Sequence, residues 1–195
     1  MALKQGDMIG ILGGGQLAQL LVTAATKLGL KTIVFDPNKD SPAFYSATEF
    51  ICDSFSNSSA LEFFSIKSDV ITYEFENIPL TTIDTITPYC KVLPNQEALR
   101  IGQNRVLEKE FVNDLGINTT QYSQIDNEQQ LIDFCSINKG KAIIKTVTSG
   151  YDGKGQVLIE PNVKNAEAIK MIENSKCIIE KFQEFDSEVS VIASR

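Results

Sequence analysis

Short apolar runs and amphipathic stretches take turns along the first half of the chain. Residues 8–12 form an apolar run closed by Gly13-Gly14-Gly15, after which Leu17, Leu20, Leu21, Ala24 and Leu28 return at helical spacing until Gly29 stops the pattern. This predicts a strand, a glycine turn and a helix. A second β-rich run at residues 31–35, ended by Asp36-Pro37, completes a strand-helix-strand unit and predicts a parallel sheet buried on both faces. Further runs at 49–52, 70–73 and 91–93 alternate with helix-compatible stretches at 60–66 and 80–86, so a first domain is expected over residues 1–95.

The remainder, residues 96–195, predicts a second α/β domain. Residues 104–115 form a charged amphipathic helix with Val106, Leu107, Phe111 and Leu115 on one side and Gly116 as its stop. From Thr119 the pattern gives a strand, a helix at 128–137, a strand at 141–145, a glycine loop, a strand at 156–159, a helix at 164–172 and a strand at 176–181. EVSVIASR, residues 188–195, is expected to form another strand. No repeat or low-complexity segment interrupts this order.

Composition narrows the function classes. A chain of 195 residues, 43% hydrophobic and 22% charged, fits a folded globular protein. A net charge of -7 argues against nucleic acid as a partner, since phosphate-backbone binding needs a basic face. The absence of histidine removes imidazole as base, nucleophile or metal ligand. Cys52, Cys90, Cys135 and Cys177 lie far apart without a CxxC pair, which reads as reduced thiols rather than a metal clasp. No apolar run approaches the roughly 20 residues of a membrane span, so a cytoplasmic protein without membrane partners is expected.

Two glycine motifs carry candidate chemistry, and each has two readings. Gly13-x-Gly15-x-x-Ala18, followed by Asp36 at the end of the next strand, satisfies the dinucleotide fingerprint, in which a pyrophosphate approaches a helix N-terminus. The same glycines can simply make a tight strand-to-helix turn. The second motif, TSGYDGKGQ from Thr148 to Gln156, lies between two β-rich runs, where inward-turned amides and Lys154 can hold an anion. It can equally be an ordinary hairpin turn. The flanking residues favour phosphate: Lys145 ends one apolar strand just before the loop, and Glu180-Lys181-Phe182 ends another.

Taken together, GILGGGQLAQ, YEFENIP, NRVLEKEF, IIKTVTSGYDGKGQ and IIEKFQEFDSEVSV resemble the N5-carboxyaminoimidazole ribonucleotide synthetase family, the ATP-grasp carboxylases of de novo purine synthesis. The resemblance runs in order along nearly the whole chain. It implies a Rossmann-like, pre-ATP-grasp first domain and an incomplete ATP-grasp second domain. Gly15, Gln16 and Leu17, with Glu74, Glu76 and Asn77, would face aminoimidazole ribonucleotide rather than NAD. ATP contacts fall on Arg105, Lys145, Gly150, Tyr151, Asp152, Gly153, Lys154, Gly155, Gln156, Glu180, Lys181, Phe182, Gln183 and Glu188. Tyr151, Asp152 and Lys154 would face the reacting groups. The implied reaction transfers the ATP γ-phosphoryl group to bicarbonate, giving ADP and carboxyphosphate. The carboxyl group then passes to the ribonucleotide's exocyclic amine and phosphate leaves. Related ATP-grasp enzymes, a glycinamide ribonucleotide transformylase and biotin carboxylase, are the alternatives within the superfamily.

The same resemblance implies what this sequence lacks. The family's chain is about twice as long and homodimeric, and its magnesium-holding Glu and Asn-Glu motifs have no counterpart up to Arg195. The expectation is therefore an N-terminal portion with no metal site and little or no ligase activity alone, as an enzyme part or as a nucleotide-binding remnant.

Overall fold

The computed structural model describes residues 2–150, 154–160 and 165–191. The chain divides into two compact units, Met1–Gln103 and Asn104–Arg195. The division falls beyond residue 95 because an unforeseen helix follows that point.

In the first unit β1 (Met8–Leu12), β2 (Lys31–Phe35), β3 (Glu49–Ile51) and β4 (Val70–Tyr73) form a wholly parallel sheet in the order β3-β2-β1-β4. Gly10 stands opposite Ile33 on one neighbour and Ile71 on the other. The chain fills one side of β1 first and then crosses to the other, leaving a switch point at the carboxyl ends of β1 and β4, where open α/β sheets take ligands. One sheet face packs Ile11 and Val34 against Ala18 and Val22 of α1 (Gln16–Lys27), with Ala43 and Phe44 from a 3-10 turn at Pro42–Tyr45. The other packs Leu12, Ile33, Phe35 and Ile71 against Leu61 and Phe64 of α2 (Ser58–Ile66) and Ile83 and Ile86 of α3 (Leu80–Ile86).

Two sequence expectations change here, and one helix is added. The side of α1 that meets the sheet is Ala18, Val22 and Ala25, whereas Leu17, Leu20 and Leu28 are 59%, 66% and 73% exposed. Small residues let the helix lie close to the strands, and the larger leucines point outward. Residues 91–93 do not extend the sheet beyond a single parallel bridge between Ile71 and Val92. The chain leaves that bridge for α4 (Gln96–Gly102), which places Leu99 in the core.

The second unit starts with α5 (Arg105–Asp114). β5 (Tyr122–Ile125), β8 (Cys177–Lys181), β6 (Ala142–Thr146) and β7 (Gln156–Ile159) follow as an antiparallel sheet in that spatial order. Period-2 alternation sends Ile125, Ala142, Ile144, Val157, Ile159, Cys177 and Ile179 to one face. There they meet Leu131 and Phe134 of α6 (Glu128–Asn138) and Ala168 and Ile172 of α7 (Ala166–Asn174). The apolar side read for α5 is not a core face, since none of its residues is buried and Phe111 stays exposed. Of the strand expected at EVSVIASR, Glu188 to Val191 carry no regular structure, with Val189 and Val191 exposed, and residues 192–195 lie outside the described residues.

Asparagine starts most of the helices. Asn57, Asn95, Asn104, Asn127 and Asn165 each accept a backbone N–H of the first turn, initiating α2, α4, α5, α6 and α7. The exception that matters is α1. Its N-cap is Gly15, with no side chain to offer.

Candidate functional site

The missing cap of α1 is supplied from across the switch point. Glu74, just past β4, accepts the Gly15 N–H through Oε1 at 2.9 Å and the Ala18 N–H through Oε2 at 3.2 Å. The carboxylate thus occupies the positive end of α1, where a dinucleotide pyrophosphate would otherwise sit. Asp36, the ribose-binding position of the dinucleotide reading, instead accepts the Gly14 N–H through Oδ2 at 2.8 Å and the Asn38 N–H through Oδ1 at 2.7 Å. Close approach explains the glycines: a Cβ on Gly15 would lie 2.8 Å from Glu74 Oε1, and one on Gly14 would lie 2.7 Å from Ser41 Cβ.

Of the residues expected to face the ribonucleotide, Gly15 and Glu74 are brought together, and Gln16 and Leu17 open α1 beside them with exposed side chains. Glu76 and Asn77 are exposed on the loop after β4. That loop is held by Gln103, whose Nε2 donates to the carbonyls of Glu76 and Ile78. Burial pushes the Tyr73 phenol upward.

In the second unit the glycine loop joins β6 to β7, with Lys145 opposite Gln156 and the Thr146 N–H donating to Gly155 O at 3.0 Å. Its entry is clamped by Arg105, the first residue of α5. The guanidinium donates through Nη1 to Thr146 O at 2.8 Å and Ser149 O at 2.6 Å, and through Nη2 to Gly150 O at 3.0 Å. Ser149 and Gly150 both adopt positive φ, 64° and 83°, and a Cβ on Gly150 would lie 2.6 Å from Lys154 O. Arg105 therefore braces a backbone turn of a kind that L residues adopt at a cost. Tyr151, Asp152 and Gly153 lie outside the described residues; Lys154 and Gln156 are exposed.

The sheet face opposite the core carries the charge. Ile143 stands opposite Glu180, and Lys145, two residues on, shares its face. Glu180 is only 8% exposed; its Oε2 lies 3.0 Å from Lys145 Nζ and its Oε1 lies 3.5 Å from Lys109 Nζ. Lys109 is itself held 5.5 Å from the ring centroid of Tyr122. Two ammonium groups thus share one carboxylate, leaving an excess positive charge on the face that also carries the glycine-loop hairpin. Lys109 escaped the sequence reading. Its signal was the Asn104 cap, which fixes where α5 starts and hence which side Lys109 occupies.

At the far end of β8 the Phe182 N–H donates to Lys141 O at 3.0 Å, and Lys181 O accepts the Thr120 hydroxyl at 2.8 Å. Lys181 and Phe182 line a hollow of about 380 Å³ together with Gly140, Lys141, Glu160 and Glu184. Gln183 donates through Nε2 to Thr120 Oγ1 at 3.0 Å, and Glu188 is exposed on the segment after β8. Among the described residues no group of three or more Asp, Glu, Cys or His side chains could hold a metal ion. The Lys145 and Lys109 ammonium groups beside Glu180 are chemically suited to an anion.

Comparison with known proteins bears on the same two units. A ribonucleotide synthetase preATP-grasp domain model matches residues 7–103 and an ATP-grasp domain model matches residues 110–195. The N5-carboxyaminoimidazole ribonucleotide synthase of Brucella melitensis is 41% identical over 100% of this chain and 54% of its own length. The chain belongs to the N5-carboxyaminoimidazole ribonucleotide synthase family. A bifunctional purine synthesis protein of Dictyostelium discoideum is also 41% identical, over 100% of this chain and 20% of its own. The Staphylococcus aureus N5-carboxyaminoimidazole synthetase structure, complexed with ADP, superposes with a TM-score of 0.87 at 37% identity, covering 92% of this chain and 48% of that one. The chain spans about half the length of the family member from Brucella. The N-terminal glycines are thus those of a pre-ATP-grasp domain, in keeping with the Glu74 carboxylate that already fills the pyrophosphate position.

Proposed function

We propose that this chain takes part in the ATP-dependent carboxylation of 5-aminoimidazole ribonucleotide with bicarbonate, a ligase reaction of purine biosynthesis. The first unit would hold the ribonucleotide and the second the ATP phosphates. The observation that carries this reading is the charged sheet face of the second unit: Lys145 ends a strand beside an Arg105-braced glycine loop, on a face where cations outnumber carboxylates. Such an arrangement stabilises a transferring phosphoryl group by charge neutralisation. Lys145 would contact phosphate oxygens as a point charge, backbone amides of the loop would add donors, and Arg105 would keep the loop's entry in place. Magnesium, when bound, would supply further charge neutralisation at the phosphates.

In the first unit the exposed Gln16, Glu76 and Asn77 would offer hydrogen bonds to ribose hydroxyls and ring substituents, on a floor made rigid by the Glu74 cap. Titration calorimetry with ATP and, separately, with aminoimidazole ribonucleotide tests both halves of the reading. ATP binding that Lys145→Met weakens at least tenfold is the expected result, and absence of ATP binding would sink it. ADP release dependent on ribonucleotide and bicarbonate would assign catalysis to this chain. Binding of both ligands without release would assign it a binding role.

A further inference from the structure

The phosphate role of Lys145 raises a difficulty that the geometry itself answers. Lys145 Nζ lies 3.0 Å from Glu180 Oε2, and Glu180 is almost wholly buried. If Lys145 were the carboxylate's sole partner, turning toward a phosphate would leave a buried charge uncompensated, and the ion pair would compete with the nucleotide. A second cation stands by. Lys109 Nζ lies 3.5 Å from the other carboxylate oxygen, its side chain is 15% exposed, and the Tyr122 ring holds it in place.

We propose that Lys109 is a positioning residue that retains Glu180 when Lys145 turns to a nucleotide phosphate, so that phosphate recognition at Lys145 depends on a side chain that touches no ligand. The inference rests on the ATP reading of Lys145. Its physical content is an exchange of partners: in the free protein Glu180 has two cations, and in the bound state it has one. The division of labour follows from placement. Lys145 is a strand-end residue immediately before the glycine loop, whereas Lys109 sits on α5 and reaches the carboxylate from the other side.

The test is the ratio of ATP to adenosine affinity, measured by calorimetry for ATP and ligand-observed NMR for adenosine. Adenosine lacks the phosphates, so a general loosening of the site lowers both affinities and leaves the ratio alone. Lys109→Met is expected to lower the ratio by about tenfold or more, because Lys145 is then held by an otherwise unpaired carboxylate. Lys109→Arg should restore it. In a Glu180→Gln background, where no charge needs compensating, adding Lys109→Met should leave the ratio unchanged; this comparison decides the matter even if Lys109→Met alone does not fold. A wild-type ratio in folded Lys109→Met, or a fall of the same size in the Glu180→Gln background, overturns the proposal and leaves the ATP reading standing. Failure of the wild-type chain to prefer ATP over adenosine overturns the Lys145 reading, and this proposal with it.

Discussion

Replacing Glu74 by alanine removes the acceptor of two backbone N–H groups that have no other cap at the start of α1. Hydrogen bonds to a charged acceptor contribute about 1.5–3 kcal/mol each when fully desolvated. Loss of a helix N-cap costs about 0.5–2 kcal/mol. Glu74 is half-buried, so water would take over part of the lost bonding. We therefore expect a destabilisation of about 1–3 kcal/mol for Glu74→Ala, with Glu74→Gln intermediate because it keeps one carbonyl oxygen. In a unit of this size that corresponds to a fall in Tm of roughly 5–15 °C. The chain has no tryptophan, so urea unfolding is best followed by far-UV circular dichroism. A coupled measurement sharpens the claim. The Cβ of Gly15→Ala would meet Glu74 Oε1 at 2.8 Å, so that substitution should cost less once Glu74 is alanine, with a coupling of about 0.5–3 kcal/mol. Unfolding free energies of Glu74→Ala and wild type that agree within about 0.5 kcal/mol would refute the capping argument.

Three further outcomes follow from other contacts. Arg105→Met removes three bonds to the carbonyls of Thr146, Ser149 and Gly150 and should weaken ATP binding at least tenfold, with Arg105→Lys only partly restoring it because an ammonium cannot reproduce the planar fork. Full ATP affinity in Arg105→Met, by calorimetry, would contradict the bracing role. Gly14→Ala, whose Cβ would lie 2.7 Å from Ser41 Cβ, should destabilise by about 1–3 kcal/mol. Gly102→Ala, with nothing within 4 Å of the added carbon, should be neutral or stabilising by up to about 1 kcal/mol; equal effects in a thermal melt would refute the contrast. Burial raises the Cys90, Cys135 and Cys177 thiols and the Tyr73 phenol, Asp69 adding to the shift at Cys90 and Asp126 at Cys177. A raised folded value means a contribution fully present below the unfolded value and lost as pH climbs through the folded one. Tm should therefore hold through neutrality and fall above about pH 8.5, and a flat profile from pH 7 to 10 would contradict this.

The strand runs of the first unit were legible because parallel strands buried on both faces read as continuous apolar stretches, as MIGIL and KTIVF do. The side of α1 that packs was not, because the helix approaches the sheet through Ala18, Val22 and Ala25 and a reading keyed to large residues chose the leucines instead. EVSV reads as a strand by composition, yet a strand needs a partner, and none pairs with it among the described residues. Gly15, Glu74, Lys145 and Glu180, which the sequence singles out at turns and strand ends, meet in two hydrogen-bonded pairs. What periodicity could not show was which groups hold one another. Glu74 lies 59 positions from Gly15, and Glu180 lies 35 from Lys145; only the register of strands brings them together. Lys109 was missed for the same reason: a lysine on a charged helix is normally solvated, and only the fold carries it to a buried carboxylate.

The outward leucines of α1 have a practical side. Leu20 and, just past the helix, Leu28 contribute little to the core, so these positions can be rewritten with glutamine or lysine at small cost to the fold. Such changes would alter how the molecule meets other surfaces, its tendency to adsorb or self-associate, while the small-residue side that seats the helix stays as it is. On this helix folding and surface behaviour are set by different residues, and each can be tuned without the other.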